Sequence, residues 1–462
     1  MGGMEVTFVW MTAGVAAAAL IVAAAVLLLV RPTIEKLVDT GLALTETETY
    51  YRNIMTMVSL FQRIDPQILV ENSLRADSGK ILKRPLGSPK KFPHFEGIMF
   101  LPCQMDRLPL KDAEKVDTRT VIGPRARRPL ELKIPLIISG MAYGLALSEK
   151  VKLALVKAAN MAGTAANSGE GPVLPEELRE ANKYIIQYSR AEWAKDPEIL
   201  KQADMIEIHI GQGSSAGAPS QVPAKHLRGK AARLMGVAPD GEAEIRSRFP
   251  GVSRKGDWRR LVQELRSLTK GVPIGMKLAI GRVEEDLEIA LYAGVDFVTL
   301  DGAQAATKGT PPILQDDVGL PTVIGLCRAV EYLEKRKKRD RVSLIVSGGI
   351  HTPGECLKAL ALGADAVALG SPLLFASSHT QGSQKVLPWE PPTELAFYTG
   401  EKRELYDVDE GAVFAARFLQ SLVKEMKLAA AALGKASLKE VGREDLVALD
   451  PVSAQITGLP LI

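Results

Sequence analysis

The residues best placed to do chemistry are Glu207 and His209, set between Ile206, Ile208 and Ile210. Strict alternation marks a β-strand, with the isoleucines on one face and the two ionisable groups on the other. A parallel barrel strand would turn the isoleucines outward under helices and Glu207 and His209 inward. An edge strand with a wet polar face has the same local pattern. Gln212 then falls in the loop beyond the strand's C-terminal end, where barrel active sites are assembled. The same parity applied to 273–279 and 297–301 turns Lys277 and Asp301 inward, so four ionisable groups converge on one mouth. Such a cluster offers acid–base groups and fixed charge for a cofactor. A structural ion network inside the barrel is the alternative.

Two glycine-bearing turns, Ser347-Gly348-Gly349 and Leu369-Gly370-Ser371, follow the last two strand candidates. Barrels commonly hold a phosphate there, on backbone N–H groups and a nearby helix N-terminus. Glycine lets the backbone approach the anion without a Cβ in the way. The turns suit a flavin nucleotide, a sugar phosphate or a nucleotide monophosphate equally, and turns with no ligand have the same composition.

Positioning these residues requires eight strands, predicted at 134–139, 164–168, 184–189, 205–210, 273–279, 297–301, 343–347 and 366–369. Helical patterns lie between them at 148–161, 197–203, 258–269, 283–293, 322–337 and 353–362. The alternation predicts an α/β fold, a (β/α)8 TIM barrel. An open doubly wound sheet is less suited, because no Gly-x-Gly-x-x-Gly turn follows the first strand. The barrel is expected over 131–386, with a stalk and covering segment at 34–130 and a C-terminal helical extension at 387–462. A stalk helix is expected over 34–63, followed by irregular chain. The long 212–256 connection reads as a cover over the mouth.

The chain has 462 residues, 46% hydrophobic and 24% charged, as in an ordinary globular enzyme. A net charge of +4 without a basic, aromatic-laced stripe predicts no nucleic-acid binding. Cys103, Cys327 and Cys356 have no metal-ligand spacing and predict neither a metal site nor a disulfide. The basic run at 80–91 reads as a solvated loop. Val6 to Val30 is uncharged and is followed by Arg31 and Lys36, which predicts a transmembrane helix within 1–33, with a signal peptide or a buried soluble helix as the alternative. The positive-inside rule then gives a single-pass protein of the cell membrane with a cytoplasmic catalytic body.

Taken together, 140–148, 167–171, 206–213, Lys277, Asp301-Gly302 and 347–349 fall in the order found in the FMN-binding domain of glutamate synthases. The lead-in Phe100-Leu101-Pro102-Cys103-Gln104 and the closing Ile456-Thr457-Gly458-Leu459-Pro460 resemble the free-standing, archaeal-type form of that family. The resemblance implies an oxidoreductase in which reduced FMN passes hydride to 2-iminoglutarate, formed from 2-oxoglutarate and ammonia, and a separate electron-donor protein. It also implies that Met141, Ala142, Asn167 and Ser168 contact the isoalloxazine, with Lys277 at its N1/O2 edge and Asp301 and Ser347 nearby. Gly348, Gly349, Gly370 and Ser371 would hold the phosphate. Glu170 would be the acid–base carboxylate, in a catalytic set with Lys277, Gln212 and His209, while Gln212 and Gln221 face the small-molecule substrate.

Departures from the family pattern concentrate on the substrate side. His209 and Ser215 stand where the family has lysines, Pro219-Ser220 replaces a Gly-Gly pair, and Ala305-Ala306-Thr307 replaces Gly-Gly-Thr. Fewer cations predict weak use of doubly charged 2-oxoglutarate unless loop cations such as Lys225 or Arg228 restore the charge. With no cysteine after Ser371, the iron–sulfur cluster of the large glutamate synthases is not expected, and glutamine hydrolysis would fall to another chain. An N-methylglutamate synthase-like transferase subunit and a flavin-binding scaffold without turnover are the alternatives.

Overall fold

The eight strands form a parallel, nearly closed barrel in a computed structural model that describes residues 2–48, 53, 55–223, 226–227, 229–238 and 241–462. They are β1 (Leu136–Ile138), β2 (Ala166–Asn167), β3 (Tyr184–Tyr188), β4 (Met205–His209), β5 (Ile274–Ala279), β6 (Phe297–Asp301), β7 (Ser343–Ser347) and β8 (Ala366–Leu369). Pairing runs without interruption from β2 through β8 to β1. At the seam, the Ile138 amide donates to the Ala165 carbonyl at 3.1 Å.

Parity decides what each strand residue does. Ile206, Ile208, Ile274, Met276, Val298 and Leu300 join the apolar layer beneath the helices. Ile137, Ile185, Met205, Phe297 and Ile345 point inward at the N-terminal end, where Ile122, Leu130 and Leu132 from the hairpin Thr120–Ile122/Leu130–Leu132 seal the floor. One step further along the strands the inward residues turn polar, and Lys277 stands opposite His209, as Asp301 does opposite Ser347.

The surrounding helices begin and end where their caps dictate. Helix Glu149–Ala162 starts on Ser148, whose side chain accepts from the Val151 amide, and stops at left-handed Gly163 (φ 72°). Its buried face, including Val151, Ala154, Leu155 and Ala158, packs on helix Val408–Ala432 through small residues such as Ala412, Ala415 and Ala416. Strand Ile98–Phe100 pairs antiparallel with Leu446–Ala448, joining the lead-in to the C-terminal extension.

The 212–256 connection is more ordered than a long loop. It holds the hairpin Ser220–Pro223/Glu242–Ile245 and helix Lys230–Met235, over a small core containing Leu227, Ala231, Met235 and Ile245. Lys225 and Arg228 lie outside the described residues.

Residues 1–82 make a separate compact unit, apart from 83–462. Helix Gly2–Thr47 runs through Pro32, which forgoes one backbone hydrogen bond. Its stretch Gly14–Thr47 contains a window long and apolar enough to cross a membrane. The expected stalk over 34–63 is described as the end of that helix and as helix Met55–Arg63; residues 49–52 and 54 are outside the description. Where irregular chain was expected, Pro66–Ser78 is helical. Pro66 occupies the first helical position, where no amide hydrogen is needed, and Asp65 caps it.

Candidate active site

Glu207 is the centre of a buried belt across the barrel. It accepts from Asn167 Nδ2 (3.1 Å) on β2, Gln187 Nε2 (2.7 Å) on β3 and Thr299 Oγ1 (2.6 Å) on β6. Beside it, Lys277 Nζ lies 3.2 Å from Asp301 Oδ2, and Ser347 Oγ donates to Asp301 Oδ1. Burial by itself would lower the Lys277 pKa, but Asp301 and then Glu207 outweigh it and hold the ammonium above the ordinary lysine range. Lys277 is therefore a fixed positive charge and not a base. Gln187 and Thr299 were missed from the sequence, although the parity that found Glu207 turns both inward.

Above the belt, a cavity of about 810 Å³ opens at the C-terminal ends of the strands, a size suited to a cofactor with its substrate. Met141, Ala142, Glu170, Gln212, Gln221, Lys277, Asp301, Ser347, Gly348, Gly349, Gly370 and Ser371 all line it. Asn167 lies below, around a smaller void shared with Glu207 and Lys277. Ser168 is turned away: its hydroxyl donates to the Gly169 carbonyl and accepts from the Gln187 amide. His209 sits behind the wall, holding Glu170 and Gln212.

The chain's own atoms fit a phosphate-bearing flavin at one end of this cavity. Among the described residues, no hydrogen-bond acceptor engages the amides of Gly348, Gly349, Gly370 or Ser371. Ser371 opens helix Ser371–Lys385, so its amide belongs to a helix N-terminus. Gly348 (φ 101°) and Gly349 (φ 74°) adopt conformations that other residues rarely reach. Unengaged amides facing a cavity are donors awaiting an anion.

At another wall, a proton can be placed. His209 Nδ1 lies 3.3 Å from Glu170 Oε2, and His209 Nε2 lies 3.3 Å from Gln212 Oε1. Burial, then Lys277 and Arg190, push the imidazole pKa well below its usual range. Burial also raises the Glu170 carboxyl, against the pull of Arg190 and Lys277. A neutral ring that donates from Nε2 to the Gln212 oxygen presents a lone pair at Nδ1. A protonated Glu170 complements that lone pair, so the geometry favours an acid at Glu170.

At the two positions where the family resemblance leads one to expect lysine, the described side chains bring no cation. Ser215 turns its hydroxyl back to the Gln212 carbonyl (3.4 Å), and neutral His209 adds no cation.

Residues 90–435 match the family described as the conserved region in glutamate synthase. A glutamate synthase large subunit-like protein of Rhizobium meliloti is 32% identical over 89% of this chain and 97% of its own length. An archaeal glutamate synthase [NADPH] of Archaeoglobus fulgidus is also 32% identical, over 61% of this chain and only 55% of its own length. Among solved structures, a mutant flavocytochrome b2 with benzoylformate has a TM-score of 0.50 at 20% identity, covering 76% of this chain and 77% of that one. That likeness concerns the fold alone.

Proposed function

The chain belongs to the glutamate synthase family, and from that membership we propose that it is a membrane-anchored, FMN-dependent oxidoreductase that reduces an imino acid to an amino acid. The observation that carries the reading is one cavity with unengaged glycine-turn amides at one end, charged Lys277 at its base and Glu170 at its wall. The cofactor is FMN. When bound and reduced by a separate electron-donor protein, it supplies hydride to the imine carbon.

The chain's residues do the rest. Amides of Gly348, Gly349, Gly370 and Ser371 hold the phosphate, and Met141 and Ala142 line the ring site. Lys277, kept charged by Asp301 and Glu207, stabilises negative charge on the reduced ring system. Glu170, kept protonated beside His209, is the acid that supplies a proton to the developing amine nitrogen. Gln212 and Gln221 orient the substrate. With no cation from position 209 or 215, a 2-oxo acid of lower charge than 2-oxoglutarate is the favoured precursor, condensed with ammonia or a primary amine.

The test is the visible spectrum of the purified protein. Flavin bands with about one FMN per chain are expected; a folded, colourless protein that takes up no FMN would refute the reading. The anchor places the body on the cytoplasmic side through Arg31 and Lys36. Protease should digest the body in inverted vesicles and spare it in intact spheroplasts, and the reverse pattern would rule that orientation out.

A further inference from the structure

The mouth contains a lysine that the proposed reaction leaves unused. Lys308 lies in the connection after β6 and lines the same cavity as Glu170 and Gly348. Its backbone is held on both sides. Thr307 Oγ1 donates to the Gly213 carbonyl (2.9 Å), and the Gly309 amide donates to the Arg84 carbonyl (2.9 Å). Arg84 in turn is ion-paired with Asp316 at 2.7 Å.

From this support the Lys308 side chain reaches across the mouth. Its Nζ donates to the Leu145 carbonyl, after β1, at 3.3 Å and lies 4.7 Å from the centre of the Phe397 ring. Among the described residues, no carboxylate stands within 4.0 Å of this ammonium. The other lysines of the mouth differ: Lys277 is paired with Asp301, and Lys83 is exposed to solvent. Burial lowers the Lys308 pKa with no opposing charge. A part-buried ammonium that has only a carbonyl and a ring for company is poorly compensated, and an anion entering the cavity would complete its surroundings.

We propose that Lys308 is the cation that binds the substrate carboxylate, and that the substrate class is 2-oxo acids carrying one carboxylate. The proposal rests on the reading of the mouth as a flavin and imino-acid site. One unpaired ammonium meets one carboxylate, which sets monocarboxylates ahead of 2-oxoglutarate. The loop position explains the reach: Thr307 and Gly309 are tied down, so Lys308 is presented and not merely tethered.

The experiment compares full-length wild type, Lys308→Met and Lys308→Arg for flavin content and for the Kd of 2-oxobutyrate, read from the perturbed flavin absorption. Equal flavin content is expected in all three. Lys308→Met should raise the Kd about ten- to hundred-fold, the loss of one charge-assisted hydrogen bond, and Lys308→Arg should restore most of the affinity. Lys308→Gln serves if the methionine variant does not fold. Unchanged affinity in the neutral variant overturns the proposal. Loss of flavin from a folded neutral variant also overturns it, by assigning Lys308 to the flavin phosphate. A flavin-loaded wild type that binds neither 2-oxobutyrate nor 2-oxoglutarate refutes the underlying substrate reading, and the role of Lys308 falls with it.

Discussion

The floor and the mouth of the barrel are built from the same eight strands and obey opposite rules. At the floor, Ile137, Ile185, Met205, Phe297 and Ile345 close on the hairpin residues Ile122, Leu130 and Leu132, and the buried Ser343 hydroxyl is satisfied by the Gly123 amide (3.0 Å). A few residues along, Gln187, Glu207, Lys277, Thr299 and Asp301 fill the same inward positions. Above these, Glu170, Lys308 and the glycine-turn amides remain incompletely satisfied. Stability is concentrated at one end, so the other end can keep groups whose partners arrive with ligand.

That division is broken most severely at the floor. Phe297→Ala should cost about 3–5 kcal/mol of stability, read as a lowered denaturant midpoint, with flavin stoichiometry unchanged in the protein that remains folded. Loss of flavin in proportion to each folded molecule would show that floor and mouth are not separable.

At the mouth, Glu170→Gln should lower the rate of amino-acid formation by about 10²–10⁴ while flavin binds as before. A rate within threefold of wild type would remove Glu170 from the chemistry. The glycine turns give a smaller effect, on cofactor retention. Gly370→Asp should weaken FMN binding about a hundred-fold or more through like charge against the phosphate. Gly370 is preferable to Gly349 for this purpose: its φ is −112°, and a Cβ there meets nothing nearer than Ser139 Cβ at 3.8 Å. At Gly349, a Cβ would stand 2.5 Å from Gln304 Cβ. Wild-type FMN content in a folded Gly370→Asp protein would remove the phosphate from this end.

The smallest effect is a pH dependence. Burial raises the Glu170 pKa in the folded chain, so the folded form holds the proton over a pH range in which the unfolded chain has lost it. Stability from this group therefore declines as pH rises from the ordinary carboxylate range through the folded pKa, and the penalty is complete above it. Glu170→Gln should match wild type in acid and gain in melting temperature relative to it as pH rises. A difference that does not change with pH would mean that the carboxyl titrates normally.

Much of this was legible in the sequence because period-two alternation is a local signal. Ile206, Glu207, Ile208 and His209 announced their faces, and the same rule placed Lys277 and Asp301. Gln187 and Thr299 carried that signal too but lacked the charge that draws attention. The helical stretch Ser371–Lys385, kinked at His379, was not predicted, since Ser377, Ser378, Gly382 and Ser383 blur its apolar face. Irregular chain was expected after residue 63, but Pro66 starts a helix there. Lys308 was beyond reach: its meeting with Leu145 and Phe397 joins segments far apart in the chain, and no local pattern encodes that.

The most direct test of the central claim follows the photoreduced, FMN-loaded protein without oxygen after addition of ammonia and a 2-oxo acid. Reoxidation with 2-oxobutyrate, yielding the amino acid about tenfold or more faster than with 2-oxoglutarate, is the predicted result. Fast reoxidation by 2-oxoglutarate with glutamate as the product would contradict the charge argument built on His209, Ser215 and Lys308. A flavin that stays reduced with every pairing of a 2-oxo acid with ammonia or a primary amine would contradict imino-acid reduction itself.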